Sequence, residues 1–425
     1  MWRGKTNQEK KHLTNNVILC ENANSDERKE LTYFAKDNFW TKNFPTTASA
    51  NFLVNFRSSQ NAFVIELLGS KKKKLLGKTV LDEFACGGTG LHAATGPIFN
   101  PHNLSCIAGG SSSGSAWVVA KGLVPFALGH DTGDSIRRPA SYCGIIGFKP
   151  SYGLLSRNGI IPMASSLDTV GIMAQKISDI KSTFATISQK DPHDLLTEAI
   201  KNKKPSRQKN KIAIVAEIEK YLPIELNNLY HNTIKKLEKL GYTVEKITIP
   251  KKIREHLQIT YLILCSSELV SHLNSLQGVT YGIKDNVSIT QKRSKYLGGI
   301  VKQRLLIGAY FLEENRELFT KAQKMRCLVD QWVKKVFENC DFLVFPSTNN
   351  AAPPAANFNH SFSGLVSSHW SDNLLLLANF SGLPSLSFPI GFINNLPVSI
   401  NINSNYGKDE EVLELAEKLE KIILL

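Results

Sequence analysis

Between residues 28 and 180, short apolar runs alternate with loops rich in glycine and serine. LTYFAKDNFW is an aromatic run that leads to Lys36, and YCGIIGFKPSYGLLS is an apolar run that ends at Pro150. Between them, SGSAWVVAKGLVPFALGHDTG predicts a small-residue helix that stops near Gly122, then a buried strand from Val124 to Leu128. Helices and strands that alternate in this way predict an α/β core whose elements are packed on both faces.

The pattern changes near residues 190–211, where charged residues and Pro205 replace the apolar periodicity. KIAIVAEI then predicts a strand, HNTIKKLEKLGYTVEKITIP predicts a helix, a stop at Gly241 and a strand, and residues 259–335 are rich in helical patterns. DFLVFPST, SLSFPIGF and LPVSININ predict later strands, and the last helix follows them. We therefore predict an α/β core in residues 1–190, an inserted α/β and helical region in 191–335, and the C-terminal part of the core in 336–425.

The chain of 425 residues carries a formal net charge of +14, which raises the possibility of a polyanionic partner such as RNA. Much of the excess lies in two lysine-rich runs, residues 71–74 and 201–211. Because neither run is interleaved with aromatic residues, a solvated surface or a linker is the better interpretation of both.

Cysteine usage and hydropathy give the expected compartment. The seven cysteines are scattered, odd in number and never spaced as CxxC, so we expect reduced thiols, no disulfide frame and no metal site. No stretch approaches the roughly 20 apolar residues that cross a bilayer, and the N-terminus lacks the apolar core of a signal peptide. We expect a cytoplasmic protein with no membrane partner.

Three short segments carry the candidate chemistry. They are AKDN at Ala35–Asn38, AGGSSSGSA at Ala108–Ala116 and GHDTGDSIRRP at Gly129–Pro139. Taken one at a time, a glycine-serine loop is usually a plain turn, and a lysine after an aromatic run is usually a surface residue. Glycine-serine loops can, however, present backbone N–H groups to an anion or an oxyanion.

In their order, spacing and residue identity, the three segments resemble the amidase signature family of serine hydrolases. The similar motifs are Lys36-Asp37-Asn38, Gly109-Gly110-Ser111-Ser112 and the run from Asp131 to Pro139, together with TKNFPTT and LLGKTVLDEFACG between them. The resemblance implies the amidase-signature fold, in which helices flank a mixed central sheet. It also implies a triad in which Ser135 is the nucleophile, Ser111 is a bridging serine that follows a cis peptide bond, and Lys36 is the base.

The implied triad makes chemical sense only if Lys36 is desolvated. A free lysine, with a pKa of about 10.4, is neutral in about one molecule in a few thousand at pH 7. Burial lowers that pKa, and a hydroxyl such as that of Ser111 can accept one proton while it donates another. The backbone N–H groups of Thr132, Gly133, Asp134 and Ser135 are the predicted oxyanion hole.

The chain departs from the family pattern in three places. Asp134 and Ser113 stand where relatives usually have glycine, and fewer residues than usual precede Lys36. We expect Asp134 to face away from the oxyanion and to pair with Arg137 or Arg138. We also expect reduced N-terminal helices and a smaller partner surface.

Within the family, KPSYGLLSRNGIIPMASSLDTVGIMA and ANFSGLPSLSFPIGF are most similar to the glutaminase subunits of tRNA-dependent amidotransferases. That resemblance implies that Arg304 binds the α-carboxylate of glutamine and Asp372 its α-ammonium. It implies a B subunit that binds ATP, Mg²⁺ and Glu-tRNA(Gln), a small C subunit, and no cofactor on this chain. The open alternatives are a stand-alone amidase and a weakly active scaffold subunit.

Overall fold

One mixed sheet, in which eleven strands are described, forms the centre of the molecule. The structure is a computed structural model, and it describes residues 16–21, 31–198, 209–276, 281–358, 367 and 369–423. Its strands are β1 (Ile18–Glu21), β2 (Thr32–Lys36), β3 (Lys74–Thr79), β4 (Phe126–Asp131), β5 (Ile146–Lys149), β6 (Thr169–Ala174), β7 (Lys211–Val215), β8 (Thr243–Ile247), β9 (Phe342–Pro346), β10 (Ser385–Ile393) and β11 (Leu396–Ser404).

The strands lie in the order β1-β3-β2-β4-β6-β5-β10-β11-β9-β7-β8. Strand β2 is parallel to both β3 and β4. Each pairing from β4 through β6, β5, β10 and β11 to β9 is antiparallel. Strands β7 and β8 come from the predicted inserted region, yet they extend the same sheet by pairing in parallel with β9 and with each other. The mixed α/β fold class is therefore confirmed, and the insertion adds to the central sheet rather than forming a second one.

Helices cover both faces of the sheet. In the described residues they are α1 (Phe63–Ser70), α2 (Ser113–Ala120), α3 (Arg137–Cys143), α4 (Ile177–Ile187), α5 (Ile224–Lys239), α6 (Lys251–Asn274), α7 (Ile289–Tyr296), α8 (Gly299–Glu313), α9 (Arg316–Asn339), α10 (Leu376–Phe380) and α11 (Asp409–Ile423). Helices α1, α4, α5 and α11 share one apolar core with the sheet, and α2 and α3 pack in a core on the other face. Helices α6, α8, α9 and α10 enclose a further core beside strands β7 and β9.

The alternation of side chains along β2 decides where Lys36 points. Tyr33 and Ala35 belong to the core shared with α1 and α4, whereas Phe34 belongs to the core shared with α2 and α3. Because side chains two residues apart in a strand lie on the same face, Lys36 points the way Phe34 does, toward α2. The base candidate is thereby directed at the segment that contains Ser111.

The structure also describes the cysteines, the long helices and part of the two basic runs. All seven cysteines are unpaired, and five of them are buried. None of the described helices combines the length and apolarity needed to cross a membrane. Lys71 and Lys72 are exposed, as a solvated run predicts, but residues 201–208 of the second basic run and residues 1–15 and 22–30 of the N-terminal segment lie outside the described residues.

A buried ion pair fixes the chain just after Lys36. Lys78 Nζ lies 3.1 Å from Asp37 Oδ1, and both side chains are fully buried. Lys78 also donates to the carbonyl oxygen of Phe39 at 2.6 Å, and Asp37 Oδ2 accepts from the backbone N–H of Thr47 at 3.0 Å. The pair thus joins β3 to the loop that leaves β2.

We predict that Lys78→Met lowers the free energy of unfolding by about 3–5 kcal/mol, because it leaves the Asp37 carboxylate buried without its cation. Urea unfolding followed by tryptophan fluorescence measures the change. Lys181→Met is the matched control, because Lys181 pairs with Glu417 at 2.7 Å where both side chains are more than one-third exposed, and it should cost less than about 1 kcal/mol. An equal effect of the two substitutions would contradict the prediction.

Candidate active site

Lys36 and Ser111, two of the three predicted catalytic residues, are joined by a hydrogen bond. Lys36 Nζ donates to Ser111 Oγ at 2.7 Å and to the carbonyl oxygen of His130 at 3.1 Å. Both Lys36 and Ser111 are completely inaccessible to solvent. The ring of His130 does not take part, because its Nε2 lies 3.1 Å from Asp168 Oδ1 instead.

Burial changes the protonation of Lys36. Loss of solvent lowers the pKa of Lys36 to about 7, although the carboxylates of Asp82, Asp131 and Asp168 each act to raise it. A large share of the amine is therefore neutral near pH 7, and a neutral amine can accept a proton.

The backbone just before Ser111 is closely packed against Asp82. The peptide bond between Gly110 and Ser111 is cis. A Cβ atom at Gly110 would lie 2.1 Å from Asp82 Oδ2, so only glycine fits beside that carboxylate. Asp82 is itself fixed, since its Oδ2 accepts from the N–H of Gly90 at 3.0 Å and its Oδ1 from the N–H of His92 at 2.9 Å.

Ser135 lies in the tight loop between β4 and α3, and its exposed fraction is 3%. Asp131, the last residue of β4, closes this loop by accepting from the N–H of Ile136 at 3.0 Å. Arg137 braces the same loop by donating to Asp131 Oδ1 at 2.9 Å and to the carbonyl oxygen of Gly133 at 2.7 Å. Burial alone would raise the pKa of Asp131, but Arg137 and Asn379 hold it at about 2, so the bracing carboxylate stays charged.

A backbone hydrogen bond joins the loop of Ser135, the third predicted triad residue, to the segment that contains Ser111. The N–H of Ser112 donates to the carbonyl oxygen of Ser135 at 3.1 Å, which fixes the nucleophile loop beside Ser111. Among the described residues, the structure contains the Lys36–Ser111 hydrogen bond but no hydrogen bond between the hydroxyls of Ser111 and Ser135. The geometry thus supplies the hydrogen bond between Lys36 and Ser111, and it joins the loop of Ser135 to the residue that follows Ser111.

The predicted oxyanion donors lie in the same loop. In the part of the chain that the structure describes, the N–H groups of Gly133, Asp134 and Ser135 donate to no other protein group. The hydroxyl of Thr132 donates to Asp168 Oδ1 at 2.7 Å, which ties the start of the loop to the residue just before β6. A loop whose N–H groups are unused is suited to bind a developing negative charge.

Asp134, the departure from the family pattern, pairs with an arginine as predicted. Its Oδ2 accepts from Arg138 Nε at 2.5 Å, whereas Arg137 is committed to Asp131. Arg138 also donates from Nη1 to Asp372 Oδ2 at 3.0 Å and from Nη2 to the carbonyl oxygen of Asp372 at 2.7 Å. Arg138 therefore stands between the two carboxylates.

The two predicted substrate-binding residues are both buried but line different cavities. Arg304, 3% exposed, lines a small cavity of about 30 Å³ beside the oxyanion loop, together with Gly133, Asp134, Arg138 and Tyr261. Asp372 lines a wider cavity of about 470 Å³ on the other side of Arg138. The smaller cavity, which we name the head cavity, is too small for an amino acid unless a lining side chain such as Tyr261 moves.

Several residues that hold the site are absent from the sequence-based prediction. Asn379 donates to Asp131 Oδ1 at 2.9 Å and accepts from Arg137 at 2.6 Å. Asp168 accepts from the hydroxyl of Thr132 and lies 3.1 Å from His130 Nε2. These contacts hold the pKa of Asp168 at about 2 against the effect of burial, so its carboxylate stays charged. Only their positions within motifs shared with the family could have indicated a role for Asn379 and Asp168, since Asp131 and Thr132, which they contact, lie far away in sequence.

Comparison with known proteins identifies relatives along almost the whole chain. The family model described as Amidase matches residues 31–413. The chain is 34% identical to the A subunit of glutamyl-tRNA(Gln) amidotransferase from Mycoplasma pneumoniae over 95% of this chain and 88% of that protein. It is 35% identical to the protein of the same name from Mycoplasma genitalium, over 96% of this chain and 91% of the relative.

Solved structures have the same fold. The A subunit of glutamyl-tRNA(Gln) amidotransferase from Thermotoga maritima superposes with a TM-score of 0.80 at 29% identity, covering 97% of this chain and 90% of that one. Peptide amidase of Stenotrophomonas maltophilia also superposes with a TM-score of 0.80, at 24% identity and with the same coverage. At that lower identity the likeness concerns the fold alone.

We predict that sulfonylation of Ser135 by phenylmethylsulfonyl fluoride accelerates about tenfold between pH 6 and pH 8, because the neutral fraction of Lys36 rises through its pKa of about 7. Mass spectrometry of the modified peptide gives the rate at each pH.

Two lysine variants identify the group that titrates. Lys149 is the matched control, because burial also lowers its pKa to about 7 while its Nζ donates to the carbonyl oxygens of Pro150 and Leu383. Lys36→Met should abolish the reaction, and Lys149→Met should keep the pH dependence. The reverse pattern would assign the titration to Lys149.

Proposed function

The chain belongs to the amidase family, and we propose that it hydrolyses the side-chain amide of glutamine as the A subunit of a glutamyl-tRNA(Gln) amidotransferase. In this proposal the released ammonia is passed to a partner subunit, which uses it to convert Glu-tRNA(Gln) to Gln-tRNA(Gln). The names of the similar proteins from two Mycoplasma species and from Thermotoga maritima support this choice within the family.

The observation that carries the proposal is the buried hydrogen bond of 2.7 Å from Lys36 to Ser111, next to the loop of Ser135. An amine with a pKa of about 7 is a usable base at neutral pH, whereas an ordinary lysine is not. A serine is the residue that the proposal requires between them, because its hydroxyl can donate and accept at once.

The first half of the proposed reaction forms an acyl-enzyme. Ser135 Oγ attacks the amide carbon of glutamine while its proton passes to Ser111 Oγ and the Ser111 proton passes to Lys36 Nζ. The carbonyl oxygen becomes an oxyanion that the N–H groups of Gly133, Asp134 and Ser135 would stabilise, each contributing on the order of 3 kcal/mol. The carbon–nitrogen bond then breaks, and the proton returns through Ser111 to the departing nitrogen, which leaves as ammonia.

The second half restores the enzyme. Water attacks the glutamyl ester on Ser135, and the same relay takes its proton. Collapse of the second tetrahedral intermediate breaks the bond between the carbonyl carbon and Ser135 Oγ, the proton returns from Lys36 through Ser111 to Ser135 Oγ, and glutamate is released. The overall balance is one glutamine and one water converted to one glutamate and one ammonia, and no cofactor on this chain takes part.

We further propose that the partners and the cofactors are those of the amidotransferase complex. A B subunit would bind ATP, Mg²⁺ and Glu-tRNA(Gln), and a small C subunit would wrap around this chain. A reaction on aminoacylated tRNA would take place in the cytoplasm.

A weakly active scaffold subunit is the second candidate, and the Asp134 carboxylate in the oxyanion loop is the observation that favours it. A carboxylate near the oxyanion opposes negative charge, but the bond of 2.5 Å from Arg138 to Asp134 offsets that repulsion. The glutaminase proposal is therefore preferred.

We predict that Ser135→Ala, Ser111→Ala and Lys36→Ala each lower glutamine-dependent formation of Gln-tRNA(Gln) at least about a thousandfold, because each removes one member of a unit that acts together. The assay uses this chain purified with its B and C subunits. Activity with ammonium chloride as the nitrogen donor should persist in all three variants. A scaffold role would instead leave glutamine-dependent activity unaltered by Ser135→Ala.

We predict that Arg304→Ala raises the KM for glutamine about tenfold or more, because a guanidinium would bind the α-carboxylate of the substrate. The ammonia-dependent reaction should keep its rate. Arg316→Ala is the matched control, since Arg316 donates to the carbonyl oxygen of Leu312 at 2.7 Å on an exposed part of the chain and should leave KM unchanged. A stand-alone amidase would show no such dependence and would cleave simple amides in preference to glutamine.

A further inference from the structure

The head cavity contains a carboxylate that the family resemblance does not assign to it. Arg304, the residue expected to bind the α-carboxylate, lines this cavity together with Asp134. Asp372, the residue expected to bind the α-ammonium, is absent from the described residues that line it. Among the described residues that line the head cavity, the carboxylate is therefore that of Asp134, and the cations are Arg138, which is paired with it, and Arg304.

Both oxygens of the Asp372 carboxylate already accept a hydrogen bond from the protein. Its Oδ2 accepts from Arg138 Nη1 at 3.0 Å, and its Oδ1 accepts from the N–H of Asn349 at 2.8 Å. Its side chain is only 7% exposed, and Arg138 lies between it and the head cavity. A substrate ammonium at Asp372 would have to share this carboxylate with both donors.

Asp134 offers what Asp372 does not. Its Oδ2 accepts from Arg138 Nε, but no described group donates to its Oδ1, and 22% of its side chain is accessible. Burial raises the pKa of Asp134 even though Arg138 acts to lower it, so the ionised carboxylate lacks part of the stabilisation that water would give. A bound ammonium would supply that stabilisation.

The charges support the same assignment. Arg138 is a single cation shared by two carboxylates, Asp134 and Asp372, so the three side chains together carry one unbalanced negative charge when ionised. Arg304 adds a positive charge to the lining of the head cavity. A zwitterionic amino acid matches this arrangement, with its carboxylate toward Arg304 and its ammonium toward the unbalanced negative charge.

Building on the proposed glutaminase function, we propose that Asp134 receives the α-ammonium of the substrate. Arg138 then acts as a positioning residue that orients Asp134, and Asp372 anchors Arg138 from behind. Only three carbon–carbon bonds separate the α-carbon of glutamine from its reacting amide carbon. A carboxylate on the residue next to the nucleophile is well suited to such a short substrate.

The test compares two substrates that differ only in the ammonium group. Glutaramic acid is glutamine without its α-amino group, so it keeps the amide and the carboxylate. The complex with the B and C subunits is assayed for ammonia release from each compound, and the selectivity is the ratio of the two kcat/KM values. Where glutaramic acid reacts too slowly, its inhibition constant against glutamine gives the same comparison.

Asp134→Asn should lower kcat/KM for glutamine about 10- to 100-fold, mainly through KM, and change that for glutaramic acid less than about threefold. Asparagine can still accept the hydrogen bond from Arg138, so the loop should keep its shape, and thermal unfolding checks this. Asp372→Asn tests the competing assignment. Asp330→Asn is the matched control, because Asp330 pairs with Lys334 at 2.6 Å along α9, away from the head cavity, and it should change the selectivity less than about threefold.

Three results would decide against the proposal. An equal loss with both substrates in Asp134→Asn would mean that Asp134 supports the oxyanion loop only. A loss of selectivity in Asp372→Asn but not in Asp134→Asn would return the role to Asp372. A wild-type complex that hydrolyses no glutamine would refute the proposed function itself, and the assignment of Asp134 would fall with it.

Discussion

The site depends on keeping water away from one amine. Lys36 is inaccessible to solvent at the end of a strand in the interior of the sheet, and that burial outweighs three carboxylates that favour its charged form. The cost is an ammonium that cannot be fully hydrated, and the result is an amine that is neutral in a large share of molecules near pH 7. The strand that presents Lys36 is paired on both sides, by β3 and β4, so its backbone position is fixed within the sheet.

A buried ionic network holds the loop of Ser135, the predicted nucleophile. Asp131, Arg137 and Asn379 form a buried network that bends the chain between β4 and α3 and turns the backbone N–H groups of that loop away from protein acceptors. A buried charged group is costly unless its hydrogen bonds are satisfied, and here both carboxylate oxygens and the guanidinium have partners. The rigid loop and the dry amine are built separately, and the backbone hydrogen bond from Ser112 to Ser135 joins them.

The sequence was informative where the chemistry is local and silent where it is not. Short sequence motifs contain the three predicted catalytic residues, Lys36, Ser111 and Ser135. The strands that precede these motifs have an evident apolar pattern. Asn379 lies 248 residues from Asp131, and Asp372 lies 234 residues from Arg138, so no local pattern could pair them. The union of β7 and β8 with the central sheet was missed for the same reason, because parallel pairing joins segments that are distant along the chain.

Asp134 shows how one departure from a family pattern can be balanced within a single turn of helix. A carboxylate beside the oxyanion loop would by itself raise the barrier to amide attack, because it opposes the charge that develops there. Arg138 follows four residues later, at the start of α3, where its guanidinium reaches Asp134 and Asp372 together. The ion pair offsets that repulsion, and both of its members line the head cavity together with Arg304. Under the proposed assignment of Asp134, a feature that would weaken catalysis on a neutral amide would favour a substrate that brings its own ammonium group.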